Sequence, residues 1–206
     1  MNSCDAGPAP GVGTATALRG CSTALDSVDV GTPRPPCFEV PEVVDWMGMA
    51  LPHKISTLLY CFDPQDQVLL IERAQEPNRG QWSPCGGKLD TRAGESPYAC
   101  ACREAFEEMG IVLRPRDLHL TGIVSEHGYQ GQAHWLMFLF EVKKRLRRIP
   151  PPIREGRFAF FARSALRRLP LPQTDRERIW PWFWRHRGGF FAAFCHTHPD
   201  GQNEWL

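Results

Sequence analysis

A chain of 206 residues with 42 % hydrophobic and 23 % charged residues has the composition of a soluble globular protein with one sizeable core, which excludes a fibrous repeat and wholesale disorder. Its net charge of +1 selects no partner by sign. That balance hides an asymmetry, because the segment from Lys143 to Arg187 holds fourteen Lys or Arg against Glu155, Asp175 and Glu177.

Residues 1–36 are rich in Gly, Ala, Pro, Ser and Thr and read as a disordered tail, so that the folded domain is expected over residues 37–206. The opening residues show neither a basic nor an apolar leader pattern, and no apolar run reaches about eighteen residues. A cytoplasmic protein without membrane contact is therefore expected. The eight cysteines, at 4, 21, 37, 61, 85, 100, 102 and 195, lack the dense spacing of a disulfide framework and read as reduced thiols. Neither Cys100 with Cys102 nor Cys195 with His196 and His198 has the spacing of a zinc site.

Residues 53–62 (HKISTLLYCF) and 67–74 (QVLLIERA) are β-prone and flank the turn DPQD, which predicts a hairpin. A loop then leads through Trp82, Ser83, Pro84 and Cys85 to Gly86 and Gly87. Ser96 as N-cap, Pro97 as first helical residue and Gly110 as stop predict a helix over residues 97–109. Strands are expected at residues 118–126 and 134–142, the second strongly apolar. The basic, proline-rich segment KKRLRRIPPPIREG reads as a loop. A short strand at residues 158–161, a helical turn at 163–169, a helix at 175–185 and a strand at 190–195 complete the chain. Strands alternating with helices predict a mixed sheet covered by helices, an α/β architecture.

The helix at 97–109 has two faces. Tyr98, Ala101, Cys102, Ala105 and Met109 form one, and Glu104, Glu107 and Glu108 form a stripe about 130° away. Three carboxylates spaced i, i+3 and i+4 repel one another. Such a stripe is an ordinary solvated face unless its surroundings supply positive charge. Here two glycines and a lysine stand just upstream, where backbone groups approach a ligand closely, and hard divalent cations suit an all-oxygen cluster.

The stretch GGKLDTRAGESPYACACREAFEEMGI, residues 86–111, resembles the Nudix box, GX5EX7REUXEEXGU, where U is a bulky aliphatic residue. Two departures stand out. Seven residues rather than five separate Gly87 from Glu95, and Ala105 stands where a larger residue is usual, leaving a gap that Phe106 or Met109 is expected to fill. The resemblance implies the α/β/α sandwich of the Nudix fold around a mixed sheet. It also implies hydrolysis of a nucleoside diphosphate linked to another moiety, with Mg²⁺ or Mn²⁺ as cofactor. By the same resemblance Glu104 and Glu108 are the principal metal ligands, Glu107 a further ligand or the water-activating base, and the Gly86 carbonyl another ligand. Arg103 with Glu95 braces loop and helix, Lys88 meets phosphate, and a downstream acid joins the reaction, Glu155 first and Glu126 second.

In layout the chain is similar to MutT-like enzymes acting on oxidised purine nucleoside triphosphates. That likeness places Trp82, Ser83 and Asp175 against the substrate, although Ser83 replaces an expected asparagine and Arg176 an expected second aspartate. Trp180, Phe183 and Trp184 have the spacing of core packing. The first expectation is release of pyrophosphate and a monophosphate from a nucleoside triphosphate. Hydrolysis of a dinucleoside polyphosphate or a nucleotide sugar is the alternative, and a non-catalytic nucleotide sensor is the alternative from another class. A small nucleotide is the expected partner of a monomer or homodimer, without stable binding to nucleic acid, since no helix-turn-helix or zinc-finger pattern accompanies the basic segment.

Overall fold

The computed structural model describes residues 50–76, 78–197 and 202–205; the tail expected at 1–36 lies outside them. Chain order is β1 (His53–Phe62), β2 (Val68–Arg73), β3 (Trp82–Ser83), α1 (Pro97–Met109), β4 (Leu118–Tyr129), β5 (Ala133–Arg145), β6 (Gly156–Phe161), α2 (Trp180–His186), β7 (Phe191–Thr197) and β8 (Asn203–Trp205). These strands make one mixed sheet in the order β3-β2-β1-β5-β4-β7-β8, with β6 also pairing with β2. β1 runs parallel to β5 and β4 parallel to β7, while the other pairs are antiparallel.

The two-residue period of the strands divides the core into two layers. Leu59, Cys61, Leu69, Ile71 and Phe140 pack against Ala101, Ala105 and Met109 of α1. Their neighbours Tyr60, Phe62, Val68, Leu70 and Leu139 face the other way, against Ile179, Trp180 and Phe183. The result is the expected α/β/α sandwich. Tyr60 stacks on Phe183 with ring centroids 4.0 Å apart, so the aromatic residues at 180–184 are chiefly core.

The predicted caps of α1 are present. Ser96 Oγ accepts from the Ala99 amide at 3.1 Å, Pro97 begins the helix, and Gly110 closes it at φ 66°. Ser96→Ala is expected to cost about 1 kcal/mol and to lower the melting temperature by roughly 3 °C, read by differential scanning fluorimetry.

Four details depart from the sequence-based reading. β5 continues through Lys143, Lys144 and Arg145, into the segment read as a loop. The Leu146 amide donates to the Phe62 carbonyl at 2.9 Å and Arg145 pairs with Asp66 at 3.0 Å, so β1 and its turn hold that end of the strand. The expected helix at 175–185 begins as a π-helical segment, Asp175–Ile179, a wide turn often found at functional sites. Phe106 is 61 % exposed and does not fill the gap beside Ala105; Met109, Leu113 and Leu118 share that core instead. Strand β8, outside every predicted element, pairs with β7.

Candidate active site

The site is built where residues 85–89 lie antiparallel along β1. The Thr57 and Leu59 amides donate to the Gly87 and Cys85 carbonyls at 2.9 and 2.7 Å, and the Leu89 amide to the Ile55 carbonyl at 3.0 Å. Gly86 falls between these bonds, so its N–H and C=O point away from β1. Its amide donates to Glu108 Oε2 at 2.9 Å. Gly86 has φ +142°, and a Cβ there would sit 2.0 Å from the Thr57 carbonyl oxygen. A Cβ on Gly87 would sit 2.1 Å from Glu104 Oε1. The two glycines thus let α1 bring two carboxylates against the backbone.

Arg103 ties the helix to the preceding loop. Its Nε and Nη2 donate to the two oxygens of Glu95 at 2.9 Å each, Nη1 donates to Glu104 at 2.7 Å and Glu107 at 3.0 Å, and Nη2 reaches the Lys88 carbonyl at 3.1 Å. The Arg103 hydrogen bonds hold the Glu95 carboxyl down at about 2. The extra loop length is absorbed by a local turn: Asp90 Oδ1 accepts from the Arg92 and Ala93 amides at 3.0 and 3.1 Å, and the Glu95 amide returns to the Asp90 carbonyl at 3.0 Å.

Burial raises the Glu104 carboxyl above its ordinary range, against the opposing pull of Arg103. Burial, with the nearby charges of Glu104 and Glu155, pushes Glu108 up to about 7 despite the Gly86 amide. Glu107 differs, with a side chain 55 % exposed. Among the described residues no three acidic, imidazole or thiol side chains converge on one point; Arg103 and the Gly86 amide hold the carboxylates instead. The donor set nevertheless fits a hard divalent cation: carboxylate oxygens on adjacent helical turns, the Gly86 carbonyl turned away from β1, and two acids whose charge burial disfavours.

These groups line a cleft of about 620 Å³. Glu104, Glu108, Gly86, Gly87, Lys88 and Glu155 contribute to its wall, as do Ser83, Glu126 and Asp175. The volume suits a nucleotide-sized ligand. Ser83 Oγ and Glu126 Oε1 are buried with no hydrogen-bond partner. Burial, reinforced by Asp175, pushes Glu126 up to about 8, and burial pushes Asp175 up to about 7. An unpartnered buried acid in a cleft is a candidate ligand contact.

The NUDIX domain family model matches residues 52–183. The chain belongs to the Nudix family of hydrolases. Its fold is similar to that of the MutT protein of Bacillus halodurans, with a TM-score of 0.59 and 26 % identity over 74 % of this chain and 96 % of that one. A MutT protein of Methanosarcina mazei Go1 aligns at TM-score 0.54 and 20 % identity, over 66 % of this chain and 94 % of that one. The NUDIX domain of Shewanella oneidensis NrtR, solved with ADP ribose, aligns at 0.53 and 17 %, over 66 % and 88 %.

Of the residues that the Nudix box singled out, Glu104, Glu108 and Gly86 meet at the cleft, with Arg103 behind them and Glu107 on the open side of Arg103. Glu155, on the turn before β6, lines the same cleft, and its backbone carbonyl accepts from the Ala74 amide at 2.8 Å. Glu126, the second choice for a downstream acid, lines the same cleft, as does Asp175. Ser83 and Asp175 line the cleft as expected, whereas Trp82 does not. Trp82 is 8 % exposed and meets Phe161 edge-on with centroids 4.7 Å apart, because β3 turns it inward. Trp135 takes its place in the lining, with Lys54 and Lys88 ammonium groups 5.4 and 5.9 Å from its ring centroid. The apolar run of β5 masked it: HWLMFLFEV reads as uniform core, and which alternate residues face the cleft depends on the pairing of β5 with β1 and β4.

Glu126 also sets a stability expectation. Burial lifts its carboxyl from the ordinary value of 4.5 to about 8, so between those values the folded chain retains a proton that the unfolded chain has lost. Its contribution to stability therefore declines as pH rises through that window, and levels off above about 8. Glu126→Gln is expected to raise the melting temperature at pH 8 by several degrees and to change it little at pH 5; an equal shift at both pH values would contradict the burial argument.

Proposed function

We propose that this Nudix hydrolase cleaves a nucleoside triphosphate to a monophosphate and pyrophosphate with Mg²⁺ or Mn²⁺ in the cytoplasm, and that an oxidised purine is among the bases it accepts. The observation carrying this reading is one cleft with two unlike groups of polar atoms: Glu104, Glu108 and Gly86 in one, and the unpartnered Ser83 Oγ and Glu126 Oε1 beside Asp175 in the other. The first suits a metal-bound polyphosphate, and the second a base edge bearing N–H groups.

In this reading Glu104, Glu108 and the Gly86 carbonyl hold the cation. The cation would screen the phosphate charge and acidify a water molecule. Arg103 fixes the helix against the loop and keeps Glu104 in place. Lys88 offsets phosphate charge, and Trp135 supplies an aromatic wall. Glu155 and the exposed Glu107 are the residues placed to accept the proton of the attacking water. Seating a purine between Ser83, Glu126 and Asp175 turns its triphosphate toward α1.

The test is a comparison of kcat/KM, with Mg²⁺ present, across natural and oxidised purine nucleoside triphosphates, ADP-ribose and diadenosine polyphosphates. A triphosphate is expected to lead by at least about tenfold, a difference of 1.4 kcal/mol. A lead by ADP-ribose or a dinucleotide would reassign the substrate. Nucleotide binding without turnover of any member would make the protein a sensor.

A further inference from the structure

A second hollow, of about 940 Å³, lies between the β1–β2 turn, the segment Arg163–Arg168 and the helical stretch from Asp175 to His186, and shares no lining residue with the cleft. Arg163, Arg167, Arg176 and Arg185 line it. Its one lining acid, Asp66, is already held by Arg187 at 2.7 Å and Arg145 at 3.0 Å. Arg176 donates to the Leu171 carbonyl at 2.8 Å, and no carboxylate among the described residues pairs with Arg163, Arg167 or Arg185. Four guanidinium groups around one concavity whose single acid is already paired with other arginines repel one another and focus a positive potential into it. Trp180 and Trp184 also line the hollow, and both indole N–H groups are buried without an acceptor.

We infer that this hollow is an anion site for a compact di- or triphosphate group, separate from the catalytic cleft. Guanidinium forks match phosphate oxygens two at a time, and several adjacent phosphates engage several forks at once. The aromatic residues argue against base stacking as the basis of recognition. The Arg163 guanidinium lies 4.9 Å from the Trp184 centroid and that of Arg187 5.2 Å, and Trp180 stacks with Trp184 at 6.0 Å, so the Trp184 ring is already covered by cations and a neighbouring ring. The ligand is therefore read through charge, and a free inorganic oligophosphate or the phosphate tail of a nucleotide satisfies that chemistry.

The test uses the full chain in EDTA, which silences cation-dependent binding in the cleft, with inorganic tripolyphosphate, pyrophosphate and a nucleoside triphosphate as probes. Tryptophan fluorescence and calorimetry report the binding. Saturable binding of tripolyphosphate is expected, weakened at least about tenfold by the paired changes Arg163→Gln and Arg167→Gln and unchanged by the paired changes Glu104→Gln and Glu108→Gln. Equal affinity for tripolyphosphate and the nucleotide assigns recognition to the phosphates alone; a stronger grip on the nucleotide, still lost with the arginines, assigns its tail as the source. Circular dichroism checks that the arginine variant is folded, and single-arginine variants serve if it is not. Absence of saturable binding, binding that survives the arginine changes, or displacement of tripolyphosphate by single-stranded RNA at lower phosphate concentration than its own would overturn the inference. Each readout is independent of turnover, so failure here leaves the proposed hydrolysis standing.

Discussion

Replacing Glu104 and Glu108 together by glutamine is expected to lower kcat for metal-dependent hydrolysis by at least about a thousandfold while leaving the fold intact. Both carboxyls are desolvated by their surroundings, so neutral isosteres relieve a burial cost and are expected to hold or raise the melting temperature. Loss of rate with undiminished stability distinguishes a functional acid cluster from a structural one. Neutral isosteres on an exposed surface stripe would leave the rate unchanged. Steady-state kinetics over a Mg²⁺ titration, paired with a thermal melt, reads both quantities on the same preparation.

The paired glycines supply a second large effect, in two opposite forms. Gly86→Ala would place a Cβ 2.0 Å from the Thr57 carbonyl oxygen at φ +142°, a collision with backbone in a conformation L residues rarely adopt. A loss of about 3 kcal/mol or more is expected, together with a fall in melting temperature of roughly 10 °C. At Gly87 the atoms within 2.6 Å of an added Cβ all belong to the Glu104 side chain, which can swing aside. Gly87→Ala should therefore stay folded and lose most of its activity, because the displaced carboxylate is one proposed to hold the cation. Equal melting temperatures for the two variants would contradict this division of roles.

Much of this was legible in the sequence. The caps Ser96, Pro97 and Gly110 act locally, so the boundaries of α1 follow from residue chemistry alone, and the spacing of Glu104, Glu107 and Glu108 follows from the helical period. Alternation in β1 and β2 likewise separates Leu59 and Cys61 from Tyr60 and Phe62. What the sequence hid depends on tertiary pairing. Trp82 reads as a substrate-facing aromatic by its place before the glycines, yet β3 joins the edge of β2 and turns the indole inward against Phe161. Trp135 reads as core, yet the register of β5 against β1 opposes it to Lys54 and places it in the cleft lining. Glu126 reads as the second candidate for a downstream acid, but its burial arises because β5 and β7 flank it, while the π-helical segment brings Asp175 to the same cleft.

The composition conceals the same kind of information. A net charge of +1 conceals an acidic helix face and an arginine-lined hollow whose residues are distant in the chain from α1. The first faces a cleft suited to a nucleotide, the second a concavity whose single acid is already paired. Neither field is visible in the total.

The most direct measurement of the central claim is ³¹P NMR of a purine nucleoside triphosphate incubated with the protein in ¹⁸O-labelled water, with and without Mg²⁺. One monophosphate and one pyrophosphate are expected per substrate consumed, with a single labelled oxygen and no reaction without the metal. Persistence of the triphosphate with Mg²⁺ present, despite measurable binding, would contradict that claim, as would release of inorganic phosphate and a diphosphate.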